Sequence, residues 1–310
     1  MNALRKFAAW LVRGRTAVIG VPYLWLLAFF LFPFLIVFKI SVSEMEGVVF
    51  KNVLTLTDGV LALTVKLSNY VFITQDDLYF LTYLSSIKYA AITTALCLLI
   101  GYPFAYFMAR AKATIQPALL MLVMLPFWTS FLLRVYAWKG LLSEHGWVSE
   151  LLIALRIDHV LLAMGVIPAL GKFMNSPFSL VLGMVYTYLP FMILPLYGNL
   201  AKLDLRLLEA AADLGATPWV AFWKVTVPLS KAGIIAGAML VFIPCIGEFV
   251  IPELLGGPET LMIGRVVWDE FFSNNDWPMA SSVAVVMILL IIVPLAIFNR
   301  YQAQAQEQKR

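Results

Sequence analysis

The chain has 310 residues, of which 62% are hydrophobic and only 13% charged, and its formal net charge is +4. So little polar surface cannot cover a soluble domain, which makes this an integral membrane protein. The small positive charge does not suggest a nucleic-acid partner.

The first uncharged stretch, 17–38, exceeds the apolar region of a usual secretory signal and has no small-x-small cleavage site after it, so it reads as a retained anchor. Five further stretches, 89–109, 113–133, 173–201, 232–247 and 277–299, are also long enough to cross about 30 Å of hydrocarbon. Lipid leaves their backbone groups no external partner, so all six are expected as α-helices in a single membrane domain over 1–310. Outer loops at 44–80, 141–172 and 255–276 are expected to carry short helices around an external mouth. Prolines at Pro22, Pro33, Pro103, Pro126, Pro190, Pro195, Pro244 and Pro252 can kink the spans. Cys97 and Cys245 lie inside spans and read as small apolar packing groups.

Around the third span, Trp128, Phe131, Val135 and Trp138 follow spacings of three, four and three, which predicts one helical face. Aromatic faces attract ammonium groups with roughly 0.5–2 kcal/mol each, so the stripe suits an organic cation. An interfacial belt with helix packing is the competing reading, at least as strong for Tyr136 and Trp138. Arg134, between them, is expected to snorkel outward or to pair with an acid. His145 and His159 in the next outer loop have no ligand spacing, so no metal site is argued. Tyr186 and Tyr188 of the fourth span are weaker pathway candidates.

Between the fourth and fifth spans, Asp204 is placed to cap a helix over 205–214 that ends at Gly215, a residue able to take the left-handed conformation. Thr217-Pro218 then starts a second helix at an angle. A helical knuckle outside the membrane follows, with alanines thinning one side of its first helix and Glu209 offering a charge. In the fifth stretch, Glu248 is the one acid well inside an apolar run, about 25 Å along the helix from Lys231 at 1.5 Å per residue. A carboxylate there is costly without water, a cation or a partner, so it is a functional candidate. Glu253 reads as an ordinary interfacial acid.

With the N-terminus inside, thirteen lysines and arginines fall on the cytoplasmic side, including Arg13, Arg110, Lys202, Lys224 and Arg300, against five outside. The positive-inside rule then places both termini and the knuckle in the cytoplasm. Twelve of the eighteen acidic residues lie outside, where they either attract cations or keep loops soluble. No phosphate-binding loop exists: Gly165 and Gly171-Lys172-Phe173 have the wrong spacing and no hydroxyl. The chain is therefore expected to bind no cofactor itself and to draw its energy from a partner.

Glu209-Ala210-Ala211, then Gly215 and Pro228 at the matching spacing, resembles the EAA loop of ABC-importer membrane subunits, with Val225 and Val227 replacing the usual Ile and Leu. In that family the loop forms the coupling helix seated in a cleft of the ATPase. Leu125-Pro126-Phe127-Trp128, Arg134-Val135-Tyr136-Ala137-Trp138, the run Gly247 to Gly257 and Asp276-Trp277-Pro278 are similar to polyamine ABC-importer permeases, most of all the putrescine-type, PotH-like members. Glu248, where spermidine-type permeases are taken to be apolar, inclines the reading to putrescine.

The resemblance implies a type I (MetI-like) fold of six transmembrane helices and an inner-membrane location. It also implies a second homologous permease, two cytoplasmic ATPases that bind ATP and Mg, and a periplasmic polyamine-binding protein. It places the pathway on the third and fifth spans, at Trp128, Trp138, Glu248 and Phe249, with Tyr188 added from the fourth. A secondary transporter or channel using Glu248 as an ion or proton site is the rival expectation. An enzyme is a distant third, since no nucleophile-base constellation is present.

Overall fold

A computed structural model describes residues 14–46, 49–50, 54–57, 60–63 and 65–307. Among the described residues, four helices are long and apolar enough to cross a membrane: Val18–Ser41, Asp77–Arg110, Pro177–Leu200 and Trp277–Ala296. Two bent pairs, Gln116–Trp128 with Phe131–Leu141 and Pro218–Leu229 with Lys231–Ile246, raise the number to six if each is one span. The expected all-α fold is present with four to six candidate spans, and the segments expected as the third and fifth spans are broken or bent. The chain forms two compact units, one of residues up to Asp76 with Asp269–Val286, the other of Asp77–Trp268 with the residues from Met287 onward.

In the first unit, the Val18–Ser41 helix buries none of its most apolar window within the chain. Its surface therefore needs lipid or another protein. The following loop departs from expectation, since two short antiparallel hairpins, Met45–Glu46 with Val49–Phe50 and Leu54–Thr57 with Val60–Leu63, precede its helix Ser68–Gln75. The Ser41 hydroxyl bonds that of Tyr70 at 2.7 Å, and Ser282 Oγ donates to the Ser41 carbonyl at 3.0 Å. Asp276 Oδ1 accepts from the Met279 amide at 2.9 Å and caps the last span, which explains the acid before Trp277-Pro278.

The second unit is built on the Asp77–Arg110, Pro177–Leu200 and Lys231–Ile246 helices. Their crossing depends on missing side chains. A Cβ at Gly101 would lie 3.2 Å from Met192 Cγ, and one at Gly237 would lie 2.8 Å from Met192 Sδ and 3.1 Å from its carbonyl oxygen. Met192 is thus wedged between glycines of two neighbouring helices, the close-approach packing that membrane helices use in place of hydrophobic drive. Cys97 and Cys245 are wholly buried, as expected of small apolar groups.

Polar pairs tie this unit at both ends. Tyr102 and Ser230 hydroxyls meet at 2.8 Å, Ser179 Oγ donates to the Leu255 carbonyl at 2.6 Å, and Ser86 Oγ accepts from the Ile263 amide at 2.7 Å. Pro177 sits in the first turn of its helix behind a reciprocal Ser176–Ser179 cap. The segments 141–172 and 255–276 contain short helices as expected: Trp147–Ala154, Ile157–Ala163 and Ile263–Trp268.

Candidate functional site

The polar loop between the fourth and fifth spans folds as its local chemistry dictates. A helix runs from Arg206 to Asp213, and Gly215 has φ of +81°. The Ala216 amide donates to the Ala211 carbonyl at 2.9 Å and the Gly215 amide to Ala212 at 2.8 Å, the paired bonds of a Schellman stop. At the other end the helix starts one residue later than expected. Leu205 occupies the capping position, and Asp204 Oδ1 instead accepts from the Arg206 amide at 3.0 Å.

Thr217 caps the next helix by accepting from the Val220 amide, with Pro218 at its first position. Glu209, Ala210, Gly215 and Pro228 are exposed and Ala211 is half-buried, so all five motif residues are accessible. Leu214 at the stop is 89% exposed. The loop thus presents a small-residue helix with an apolar tip and a charge, and none of the residues Arg206–Asp213 is buried.

The second constellation lies where the spans break. The helix expected to continue through Glu248 stops at Ile246, and a new one begins at Val250. Gly264 allows this: a side chain there would collide with the carbonyl oxygens of Gly247 and Glu248. Glu248 therefore lies in a break and not on a helical wall. Its Oε1 accepts from the Phe249 and Val250 amides at 3.2 and 3.1 Å, and its Oε2 from the Tyr188 hydroxyl at 2.5 Å. Three donors fill acceptor positions of the carboxylate while the residue remains partly exposed. Phe249 is stacked on Trp268, with centroids 4.5 Å apart and planes 10° off parallel.

The aromatic stripe of the third span is not continuous, which corrects the sequence reading. Thr129 and Ser130 are extended, with ψ of 150° and 134°, and the helices on either side bend by 88°. Trp128 precedes this break and is 71% exposed, whereas Phe131, Val135 and Trp138 follow it. Val135 is buried. Trp138 packs on the Leu142, Ile167 and Phe173 cluster and meets Tyr186 edge-on at 5.4 Å, so packing describes its contacts.

Arg134 makes no ion pair with an acid among the described residues. Its Nε and Nη1 are buried without a hydrogen-bond partner among the described residues, and its guanidinium lies 5.8 and 5.9 Å from the rings of Phe127 and Phe131. Glu253 forms an ion pair with Arg265 at 2.7 Å.

What the structure brings together is Glu248, Tyr188, Phe191 and Phe127. The Tyr188 and Phe191 centroids are 6.1 Å apart, and Phe191 meets Phe127 edge-on at 5.2 Å. Phe191, Phe127 and Trp268 were not singled out from sequence. Phe191 follows Tyr188 by three residues, a spacing that could have found it, while Trp268 is far from Phe249 in sequence and carried no such signal.

The chain is similar to known proteins. Residues 1–308 match the model of the binding-protein-dependent transport system inner membrane component family. The chain is 38% identical over 285 residues to the spermidine/putrescine transport system permease protein PotB of Haemophilus influenzae, covering 92% of each. It is 40% identical over 225 residues to PotB of Escherichia coli, covering 73% of this chain and 78% of that one. The inner membrane ABC transporter permease protein YdcU of Escherichia coli is 35% identical over 71% of each chain.

Among solved structures, a bacterial ABC transporter involved in alginate import aligns with a TM-score of 0.58 at 16% identity, covering 97% of this chain and 99% of that one. The MetNI methionine transporter aligns at 0.51 and 14% identity, covering 71% and 92%. At such identities the likeness concerns the fold, which is that of type I ABC-importer permeases. The chain is thus a transport subunit and not an enzyme, and it belongs to the family of binding-protein-dependent transport system inner membrane components.

Proposed function

We propose that this chain is the membrane-spanning permease subunit of an ATP-driven importer of polyamines, with putrescine the favoured cargo over spermidine. The observation that carries the substrate class is the half-exposed Glu248 carboxylate, held at a helix break by Tyr188 and backbone amides beside the Phe249–Trp268 stack. An acid with aromatic neighbours is the local chemistry an alkyl diammonium needs. Relatives named as spermidine/putrescine permeases support the same class. Glu248 is the argument for putrescine.

In this reading both termini and the Arg206–Leu229 knuckle are cytoplasmic, as the lysine and arginine distribution favours. Two ATPase subunits bind ATP and Mg and receive the exposed helix around Glu209–Gly215. A second homologous permease completes the translocation path, and a periplasmic binding protein delivers cargo to the outer loops. ATP binding closes the ATPases, and the knuckle passes that motion to the spans for alternating access. Substrate passes between the two permeases, with Trp128, Trp138, Tyr188, Glu248 and Phe249 as its candidate contacts.

The test is uptake of labelled putrescine and spermidine by cells lacking their own polyamine importers, expressing the complete system with either the unmodified chain or Glu248→Gln at equal membrane levels. ATP-dependent uptake that collapses in the variant is expected. Absence of polyamine uptake by a fully assembled, unmodified complex would refute the substrate class.

A further inference from the structure

The segment following the coupling helix has two unlike sides. It runs from Pro218 to Leu229 and bends 65° from the span that begins at Lys231. On one side it is fixed to the protein. Phe222 meets Tyr102 and Tyr106 edge-on at 5.6 and 5.8 Å, Thr226 has no exposed surface, and Ala221 is buried. On the other side Trp219 is 70% and Trp223 53% exposed, and these two largest side chains are one helical step apart and in mutual ring contact at 5.8 Å. Lys224, next to Trp223 in sequence, and Lys231, the first residue after the bend, are both exposed.

We propose that this face lies in the cytoplasmic headgroup layer of the bilayer, with Trp219 and Trp223 anchored at the lipid boundary and Lys224 and Lys231 meeting anionic headgroups. The inference rests on the cytoplasmic placement of the coupling loop proposed above. Three observations favour lipid as the occupant. First, the segment is continuous with a membrane span, and a 65° bend away from a span of ordinary tilt brings it nearer the membrane plane than the membrane normal. Second, indole rings prefer the headgroup level, where an apolar body and a polar N–H are both satisfied. Third, lysines on the flank complement the negative potential of the cytoplasmic leaflet.

The coupling helix itself, Arg206–Asp213, is a separate element that ends at the Gly215 stop, with its own exposed tip at Leu214. Protein docking and lipid anchoring thus fall on consecutive helices. The coupling helix moves with the ATPase while the next segment stays moored to the membrane. The mooring gives the loop a fixed point against which a push becomes a rotation of the span.

Nitroxide labels on Trp219→Cys and Trp223→Cys, placed singly in the complete transporter in phosphatidylethanolamine and phosphatidylglycerol nanodiscs, test the inference. Cys97 and Cys245 are fully buried, so labelling falls on the introduced thiol. Both labels should collide with dissolved oxygen and be shielded from a water-soluble nickel chelate. Shielding from both agents would mean protein cover by the ATPase, and access to the nickel chelate would mean solvent. Either result overturns the proposal.

A label on Leu214→Cys separates the two readings, since it should be shielded from both agents by the docked ATPase. Open access there would sink the coupling assignment while the tryptophan labels still decide the lipid one. Should a cysteine variant fail to assemble, lipids brominated near the headgroup provide a second measurement. The Trp219→Phe, Trp223→Phe double variant must then lose a shallow-quenched fraction of the fluorescence, and unchanged quenching would refute the anchor.

Discussion

Gly215 tests whether the coupling loop works through its backbone geometry or through contacts. Its φ is +81°, and a Cβ built there would meet nothing within 4 Å, so substitution changes conformational preference without creating a clash. A non-glycine residue in left-handed conformation costs roughly 1–2 kcal/mol. That is a factor of about 5–30 in the population of the stopped loop, yet only a modest part of a domain's stability of about 5–15 kcal/mol. Asparagine visits the left-handed region several-fold more readily than most residues, and β-branched residues least. Uptake and substrate-stimulated ATPase activity in proteoliposomes should therefore fall in the order glycine, Asn, Ala, Val, with the complex still assembled.

Gly215→Asp adds a separate element. Aspartate tolerates the same backbone nearly as well as asparagine, so lost coupling in Asp with retained coupling in Asn would assign the defect to charge at the docking face. Equal activity in Ala and Val, or Asn as poor as Val, would refute the argument from φ.

Tyr188→Phe removes the hydroxyl that donates to Glu248 Oε2, a hydrogen bond to a charged group worth about 1.5–3 kcal/mol. Initial uptake rates should drop with complex yield unchanged, and a wild-type rate would exclude a positioning role for Tyr188. Gly237→Ala puts a methyl 2.8 Å from Met192 Sδ and should destabilise the purified complex by about 1–3 kcal/mol in thermal unfolding. Gly20→Ala, inside a helix with nothing within 4 Å, should be neutral or stabilising by up to about 1 kcal/mol. Equal effects at the two glycines would show that the wedge around Met192 is not a tight one.

The coupling loop was the most legible region because its signals are local. A left-handed glycine, a threonine before a proline and a run of alanines determine their own geometry within a few residues. The spans were legible as apolar lengths, but a hydropathy window averages over one or two residues and cannot see a break. Thr129-Ser130 lies inside a run without charges, and its extended backbone interrupts the aromatic face that a helical period drew through it. At Gly247 the helix ends through contact with Gly264, a long-range fact that no local pattern contains. The second hairpin does carry a local signal, the alternation of Leu54-Thr55-Leu56-Thr57 before Asp58-Gly59, a pair favoured in hairpin turns.

Met192 between Gly101 and Gly237 has a mechanical consequence. A side chain seated on two neighbours at such close range acts as a key in a keyway, and helices joined in this way cannot slide past one another without first separating. The three helices of that crossing must then turn as one lever. Compliance is left to the places where hydrogen-bonded helix is interrupted, at Thr129-Ser130, at the bend around Ser230 and at Gly247–Phe249. Under the coupling role proposed above, a force entering at the loop would be carried, with little lost to internal deformation, to the break that holds Glu248.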